Sequence, residues 1–307
     1  MKPLIYAKSS MNHEQIQAKL NIGCDGIEVQ LLGELYKDKS KHIYKKVEEV
    51  WDLSEFDKYP IKCVHSPLTE EGDVLLEMIC DLEDRLLFEE LFKFAQHFGE
   101  VQNEVIPLII HSESFYDALC DLGTSWITIR NTVKSMLDRY PNVKLLIENV
   151  TPIRGIDKDQ PLHLCNNWAF DNVEMVDILR REISTDRIGT VLDTCHAMMS
   201  EKYLTCLYQE VGNIAMPDYT IQNYMLKNQP YCGIIHLANF RNSGYSHGNH
   251  GTPFDSESYN LLCEILLAYE KLGYTCPLTL EVFECDYLTS DNYELEKFYV
   301  DKYFSEI

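Results

Sequence analysis

The sequence has no run of about 18 apolar residues, the length that a helix needs to span a bilayer. It has no GxGxxG segment, and no GxxxxGKS or GxxxxGKT segment, after its first apolar run. The first ten residues, MKPLIYAKSS, lack the apolar stretch of a secretory leader. We therefore expect no membrane partner and no secretion, and the missing glycine-rich turns count against an open nucleotide-binding sheet.

The chain contains 11 cysteines but no CxxC pair, so the usual spacing of a structural zinc site or a redox motif is absent. The cysteines are scattered, odd in number, and several, such as Cys63 and Cys232, lie inside apolar runs. This usage is typical of reduced core residues. It predicts a cytoplasmic protein without a disulfide framework.

Basic residues are few: 27 Lys and Arg stand against 49 Asp and Glu, for a net charge of −22. Nucleic-acid binding draws much of its affinity from basic side chains that neutralise phosphates. The one visible basic cluster is the short stretch 37–46. Nucleic acid is therefore disfavoured as a partner, whereas a negative field raises the local concentration of divalent cations.

A histidine or a carboxylate stands at the end of one apolar run after another. Successive landmarks lie 37, 46, 37, 45, 43 and 45 residues apart, and each gap has room for one strand, one helix and two loops. An additional strand at 3–7 (PLIYA) raises the count to eight. These features predict a (β/α)8 TIM barrel of the α/β class, with the site at the C-terminal ends of the strands. The landmarks are Glu28, His65, His111, Glu148, Asp193, His236 and Glu281.

Apolar residues at spacings of three and four predict helices at 75–98 and 259–272, the second ended by Gly273. No linker interrupts the rhythm, so we expect a single domain over 1–307. The stretch 201–231 breaks the rhythm and is interpreted either as a lid over the catalytic face or as a long helical connection. An open doubly wound sheet is the alternative fold, but such a sheet collects its site mainly at one crevice, whereas six strand ends contribute here.

Three carboxylates and one imidazole, from Glu148, Asp193, His236 and Glu281, form a set of mostly hard donors. Such a set suits Mn(II), Mg(II), Co(II) or Zn(II) and would leave coordination positions open. His196 lies three residues after Asp193, within reach of the same pocket. His65 and His111 come from the facing side of the barrel, so the complete set has enough donors for two or three ions.

These motifs resemble the xylose isomerase-like superfamily, which includes the sugar and sugar-phosphate epimerases and endonuclease IV. LDTCHAM at 192–198 is similar to the DTCH motif of endonuclease IV, and the histidines in HSP and HSE and the glutamate in IEN support the likeness. The resemblance covers nearly the whole chain and implies a (β/α)8 barrel. It implies that these seven residues are metal ligands: His65, His111, Glu148, Asp193, His196, His236 and Glu281.

The chain departs from endonuclease IV after His236. That family has an Asp-x-His pair in the following loop, but Gly248 precedes His250 and Tyr245 precedes His247 at the position of the aspartate. Either alignment leaves a third metal one ligand short. The candidates in this region are His250 as a metal ligand and, in contact with substrate, Arg241 and His247. Glu28 resembles a substrate-side glutamate of the superfamily, with a salt-bridge partner at the rim of the core as the alternative.

Two functions follow as hypotheses. The first is a metal-dependent isomerase or epimerase, in which one ion binds a small sugar, sugar phosphate or polyol. Glu148 and Glu281 then move a proton through a metal-stabilised enediolate. The alternative is an endonuclease IV-like multi-zinc phosphodiesterase with two or three ions, acting on phosphate esters or abasic DNA.

A third reading is a barrel that has lost catalysis and binds a partner. The near-complete ligand set argues against it, because buried carboxylates without a role are costly. The expected partner is a small carbohydrate, and a homodimer is the expected oligomer if the chain associates.

Overall fold

The computed structural model shows strands that alternate with helices. It describes residues 2–38, 42–69, 72–73, 76–112, 125–150, 171–211, 220–240 and 250–306. The strands of the main sheet are β1 Ile5–Ser9, β2 Gly26–Gln30, β3 Ile61–His65, β4 Ile106–His111, β5 Val143–Glu148, β6 Ile188–Asp193, β7 Cys232–Leu237 and β8 Leu278–Leu280.

Helices follow the strands. None of those in the described part of the chain is long and apolar enough to span a membrane. The helices are α1 His13–Asn21, α2 Leu82–Gln102, α3 Ser125–Arg139, α4 Asp171–Ile183, α5 Thr194–Val211, α6 Ile221–Asn228, α7 Tyr259–Lys271 and α8 Asp291–Glu306. Shorter pieces are the helical turn Val47–Val50, the 3-10 turns Leu53–Phe56 and Leu76–Cys80, and three antiparallel pairs, Tyr36–Asp38 with Ile43–Tyr44, Leu68–Thr69 with Gly72–Asp73, and Asn239–Phe240 with His250–Thr252.

The main sheet is a closed barrel in which every strand pairs in parallel with its neighbours in the chain. Strand β8 pairs with both β7 and β1, which closes the sheet and leaves no free edge. The predicted (β/α)8 barrel is confirmed. The open doubly wound sheet is wrong, because such a sheet would leave β1 and β8 unpaired with each other.

Two predicted element boundaries differ from the structure. Strand β1 lies two residues later than the predicted 3–7, which places Lys8 inside the strand. The predicted helix 75–98 is a 3-10 turn followed by α2, because Asp81 has an extended backbone between them. Helix α2 then continues to Asn103, whose left-handed φ of 54° ends it. Helix α7 ends as predicted, before Gly273 with φ of 72°.

The register of the strands brings their carboxyl ends to one level. Asp193 pairs with His236 between β6 and β7, and His111 pairs with Glu148 between β4 and β5. The seven landmark residues therefore converge at one mouth of the barrel, because parallel strands in a barrel end at the same face.

Apolar side chains fill the barrel below this mouth, so the site has a rigid floor. Gly189 and Gly233 lie where a Cβ atom would come within 3 Å of the Leu146 side chain, and these glycines leave room for it. The interior cluster consists of Cys63, Ile109, Leu146, Val191 and Ile234.

The described residues of 201–231 lie mostly in helices. Tyr224 and Met225 of α6 are buried, and Tyr224 Oη donates a hydrogen bond of 2.8 Å to Asn172 Oδ1. Asn172 in turn donates to the carbonyl oxygens of β5 and β6. These contacts attach α6 firmly to the barrel. A closing movement of the segment over the site stays a prediction.

Candidate active site

All seven landmark residues, together with His196, lie at the carboxyl mouth of the barrel. Each lies within two residues of the end of a strand or in the first turn of the next helix. Their side chains are almost completely removed from solvent; Glu281, with 15% of its side chain exposed, is the most accessible.

The first group in this mouth consists of Glu148, Asp193, His236 and Glu281. Each offers a ligand atom, and these atoms all lie within 4.8 Å of one another. His236 Nδ1 lies 2.6 Å from Glu281 Oε2 and 3.3 Å from Glu148 Oε2. This is the set that donor chemistry alone selects from the sequence.

Three atoms of this group test whether a cation fits. Asp193 Oδ2, His236 Nδ1 and Glu281 Oε2 are buried; the last two face each other at 2.6 Å, and none of the three makes a well-aligned hydrogen bond within the described part of the chain. Buried polar atoms normally have partners, and unpaired ones are costly. The close approach of carboxylate oxygens and an imidazole nitrogen at one point therefore fits a divalent cation with hard-donor preference.

A second group of potential ligands, His65, His111 and Glu148, shares Glu148 with the first. His65 Nε2 lies 3.0 Å and His111 Nε2 3.6 Å from Glu148 Oε2, and the two imidazole rings pack edge to face with centroids 5.2 Å apart. His196 approaches Glu148 from the other side, with Nδ1 3.5 Å from Oε1. Glu148 is thus the central carboxylate of the site.

Glu28 lies behind His236. Its Oε2 accepts hydrogen bonds from His236 Nε2 at 3.1 Å and from Thr279 Oγ1 at 3.0 Å. A proton on Nε2 leaves Nδ1 as the lone-pair nitrogen that faces the first group. A carboxylate in this position orients a metal-binding histidine and increases its basicity. Glu28 therefore contacts ligands rather than the open cavity, in keeping with the salt-bridge alternative.

The sequence analysis missed Lys8. Its Nζ lies 2.5 Å from Glu281 Oε1 and 3.6 Å from Glu28 Oε1, inside the mouth of the barrel. A lysine within IYAKS reads as a solvent-facing strand residue, because lysine is almost never fully buried unless it is paired. The signal that could have identified it is its place near the end of β1, equivalent to that of the other site residues.

Asn149, directly after Glu148 in the IEN segment, was also missed. Its side chain accepts a hydrogen bond of 2.7 Å from the Asp193 N–H and donates one to the Asp193 carbonyl. Its own carbonyl lies 2.8 Å from His196 Nδ1. Asn149 thereby locks the end of β6, and the ligands on it, against the end of β5.

The charges of the site perturb each other strongly. Burial raises the pKa of Asp193 to about 6. Burial lowers the pKa of His196, but Asp193 and Glu148 outweigh it and raise this pKa to about 9. For Glu148, the nearby histidines overcome the effect of burial and hold the pKa well below its ordinary value. Protons and cations therefore compete for the same atoms.

A cavity of about 350 Å³ opens beside Glu281, between the ends of β1 and β8. Lys8 and Gln30 contribute polar atoms to its wall, and Phe283 and Tyr287 contribute aromatic rings. This volume is at the lower end of the range for small-molecule pockets. A small polar ligand fits it, with one end next to the carboxylates.

Three predicted residues are not tested by these contacts. Arg241 and His247 lie outside the described residues. The backbone of His250 begins a short strand, but its side chain lies outside what the structure describes. Their predicted roles stay predictions.

Solved structures show the same fold. A protein from Rhodospirillum rubrum, described as a candidate xylose isomerase, is 13% identical, with a TM-score of 0.59 and 99% of each chain covered. A D-tagatose 3-epimerase-like protein is 14% identical, with a TM-score of 0.56 over 100% of this chain and 99% of its own. Endonuclease IV from Thermus thermophilus is 12% identical, with a TM-score of 0.54 over 98% of this chain and 100% of its own.

No protein-family model and no curated protein matches the sequence. The predicted resemblance to xylose isomerase-like barrels is confirmed for the fold. At such low identity the likeness extends to the fold alone, and function has to be argued from the site.

Proposed function

We propose that this protein is a divalent-metal-dependent isomerase or epimerase that moves a proton on a small carbohydrate. The observation that carries the proposal is the convergence of Glu148, Asp193, His236 and Glu281 within 4.8 Å, beside a cavity of small-molecule size. Similar solved structures named as sugar epimerases and isomerases support it. The cytoplasm is the location we propose for it.

The same four residues would hold one ion. Three carboxylates and one imidazole suit Mn(II), Co(II), Mg(II) or Zn(II), and Glu28 would orient the histidine from behind. When bound, such a cation acts as a Lewis acid that stabilises negative charge on oxygen atoms of the substrate.

Glu148 and Glu281 are the proposed acid and base. Charges around both carboxyl groups hold their pKa values well below the ordinary value in spite of burial, so both are ionised at neutral pH. An ionised carboxylate accepts the proton from the carbon next to the carbonyl group. The other carboxylate, after taking a proton from water, gives it to the opposite face of that carbon or to the neighbouring carbon, and the first carboxylate releases its proton to water.

The second candidate is a multi-metal phosphodiesterase. The group His65, His111 and Glu148 favours it, because Glu148 then contributes to two adjacent ligand sets. The net charge of −22 disfavours nucleic acid as its substrate. We place this function second, since the first group is complete with four residues.

Metal content and isotope exchange distinguish these functions. Untagged protein purified without chelator should contain about one divalent ion per chain by elemental analysis. Incubation with D-tagatose or D-fructose in D2O should introduce deuterium at the carbon next to the carbonyl group, detected by NMR. Chelator treatment should abolish the exchange, and the Glu281→Gln variant should lose it while remaining folded.

Two or three zinc ions per chain, together with hydrolysis of phosphodiesters and no deuterium exchange, would contradict the first proposal in favour of the second. A Glu281→Gln variant with full exchange would contradict the acid–base assignment. Folded protein that contains no metal and shows neither activity would instead favour a role in binding.

A further inference from the structure

Lys8 belongs to a closed ring of four charged or polar side chains. Lys8 Nζ faces Oε1 of Glu281 and Oε1 of Glu28. The other oxygen of each carboxylate faces His236: Glu281 Oε2 lies 2.6 Å from Nδ1, and Glu28 Oε2 lies 3.1 Å from Nε2. The ring holds Lys8 at one position, with only 9% of its side chain exposed. This lysine is therefore a fixed cation beside the proposed ligands.

The ring does not use all the hydrogen-bonding capacity of Lys8. An ammonium group has three N–H donors, of which one contacts Glu281 and a second faces Glu28. Among the described residues the third donor has no partner, and Lys8 lines the cavity. A ligand in the cavity can accept this hydrogen bond.

Gln30 offers the complementary group. Its Nε2 donates to the carbonyl oxygens of Leu31 and Ser66, at 2.9 and 2.8 Å, and this fixes the orientation of the amide. Its Oε1 is buried and makes no hydrogen bond within the described chain, and Gln30 lines the same cavity. The cavity thus presents one unused donor and one unused acceptor. A hydroxyl group, which donates and accepts, satisfies both.

The charge of the surroundings selects against an anion. Among the described residues that line the cavity, Glu281 is the one carboxylate and Lys8 the one basic residue. Glu148 and Asp193 add two more carboxylates, with oxygen atoms within 4.8 Å of one of Glu281. Leu32, Val282 and Phe283 also line the cavity, and the C–H face of a sugar can pack against these apolar side chains. A phosphate group bound in place of this hydroxyl would bring up to two more negative charges and no donor for Gln30.

We propose that Lys8 and Gln30 bind a hydroxyl-bearing end of the substrate in this cavity, and that the substrate is an uncharged ketose or polyol rather than a phosphate ester. The inference rests on the proposed function, which it makes more specific. Lys8 would contact a substrate oxygen directly while its other protons hold Glu281 and Glu28 in the ring.

The test uses Lys8→Met, which removes the charge but keeps the length of the side chain, and Lys8→Arg, which retains the charge. Lys62→Met is the matched control. Lys62 is also a strand lysine paired with a carboxylate, but it contacts Glu104 near the start of β3, away from the mouth. Each variant is compared by circular dichroism, by titration with MnCl2, by titration with D-sorbitol, and by kcat and KM for D-fructose.

Losing a hydrogen bond from a charged donor should weaken D-sorbitol binding, and lower kcat/KM, by about 10- to 100-fold in Lys8→Met. One Mn(II) should still bind per chain. Lys8→Arg should recover part of the loss, and Lys62→Met should behave as wild type. Full D-sorbitol affinity and unchanged kcat/KM in folded Lys8→Met would overturn the proposal, even if the wild type epimerises D-fructose.

A second measurement needs no variant. Wild-type protein should prefer D-fructose over D-fructose 1-phosphate by at least about tenfold in kcat/KM, since one tenfold step corresponds to one lost or repelled contact. The opposite preference would overturn the assignment of an uncharged substrate. Absence of turnover with both, in protein that binds Mn(II), would instead be a failure of the proposed function, and D-sorbitol binding would still decide the role of Lys8.

Discussion

Glu28 should control the metal affinity of this site without being a ligand. It is buried, and its Oε2 accepts the hydrogen bond of His236 Nε2. Burial raises the pKa of Glu28, but His236 and Lys8 outweigh this effect and lower it below its ordinary value. An ionised Glu28 therefore fixes the tautomer in which His236 Nδ1 faces the other ligands.

The Glu28→Gln substitution keeps the shape of the side chain but removes its charge. Hydrogen bonds to charged groups contribute about 1.5 to 3 kcal/mol. Since about 1.4 kcal/mol equals a factor of ten, the affinity for Mn(II) should fall about 10- to 100-fold. The loss should appear in affinity and not in stoichiometry, because all four proposed ligands remain.

Isothermal titration of chelator-treated protein with MnCl2 measures this change. Glu296→Gln is the matched control, because Glu296 is also a fully buried glutamate of the barrel. Burial raises the pKa of Glu296 well above its ordinary value, and its Oε2 accepts the Phe254 N–H, a hydrogen bond that glutamine can also accept. We expect Glu296→Gln to bind Mn(II) within about twofold of wild type, well inside one tenfold step.

Wild-type affinity in folded Glu28→Gln would refute the reasoning, because it would mean that the Glu28 contact does not orient His236 for a metal. Glu28→Asp separates charge from position. It keeps the charge but is one methylene shorter, so it should also lose affinity if position matters. Loss in Glu28→Gln alone would assign the effect to charge.

Three further outcomes are expected. Mn(II) at about 100 times its Kd should stabilise the protein by about 2.7 kcal/mol, so removing it with a chelator should lower the unfolding temperature by about 5 °C. Added Mn(II) should restore the temperature. An unchanged unfolding temperature would argue against a bound ion. The pKa of Asp193 is raised to about 6, so Asp193 becomes protonated as the pH falls through that value. The affinity for Mn(II) should therefore decrease by up to about tenfold per pH unit below pH 6. Titrations with MnCl2 at pH 5.0, 6.0 and 7.5 test this, and an affinity that does not change with pH would contradict it. The Tyr224→Phe substitution removes the hydrogen bond to Asn172. It should lower the free energy of unfolding by about 1 to 2 kcal/mol in denaturant titrations and leave the affinity for Mn(II) unchanged. Loss of metal binding would instead show that α6 acts on the site.

The barrel and the ligands at its strand ends could be predicted because both depend on order along the chain. Parallel strands that close into a barrel end at one face, so a polar residue at each strand end reaches that face wherever the helices lie. Asp193 and His236 illustrate this, since they are direct register partners on neighbouring strands. Their convergence needed no knowledge of loop conformation.

Side-chain direction at the rim could not be predicted in the same way. Glu28 lies two residues before the end of β2, and whether it faces substrate or His236 depends on the twist and register at β1 and β8. Lys8 was missed because the strand starts two residues later than its apolar run indicates. Spacing identifies which residues reach the mouth, but their partners follow only from the closed sheet.

The balance of charge in the mouth connects the metal to the substrate. Lys8 and His196, whose pKa is raised to about 9, carry positive charge, so the four carboxylates leave two negative charges, which is costly in a buried site. One divalent cation neutralises this charge and matches the complete four-residue group. A second cation at His65 and His111 would make the site positive and favour an anionic substrate instead. The number of metal ions and the charge of the substrate are therefore linked: one ion goes with an uncharged sugar, and two go with a phosphate ester.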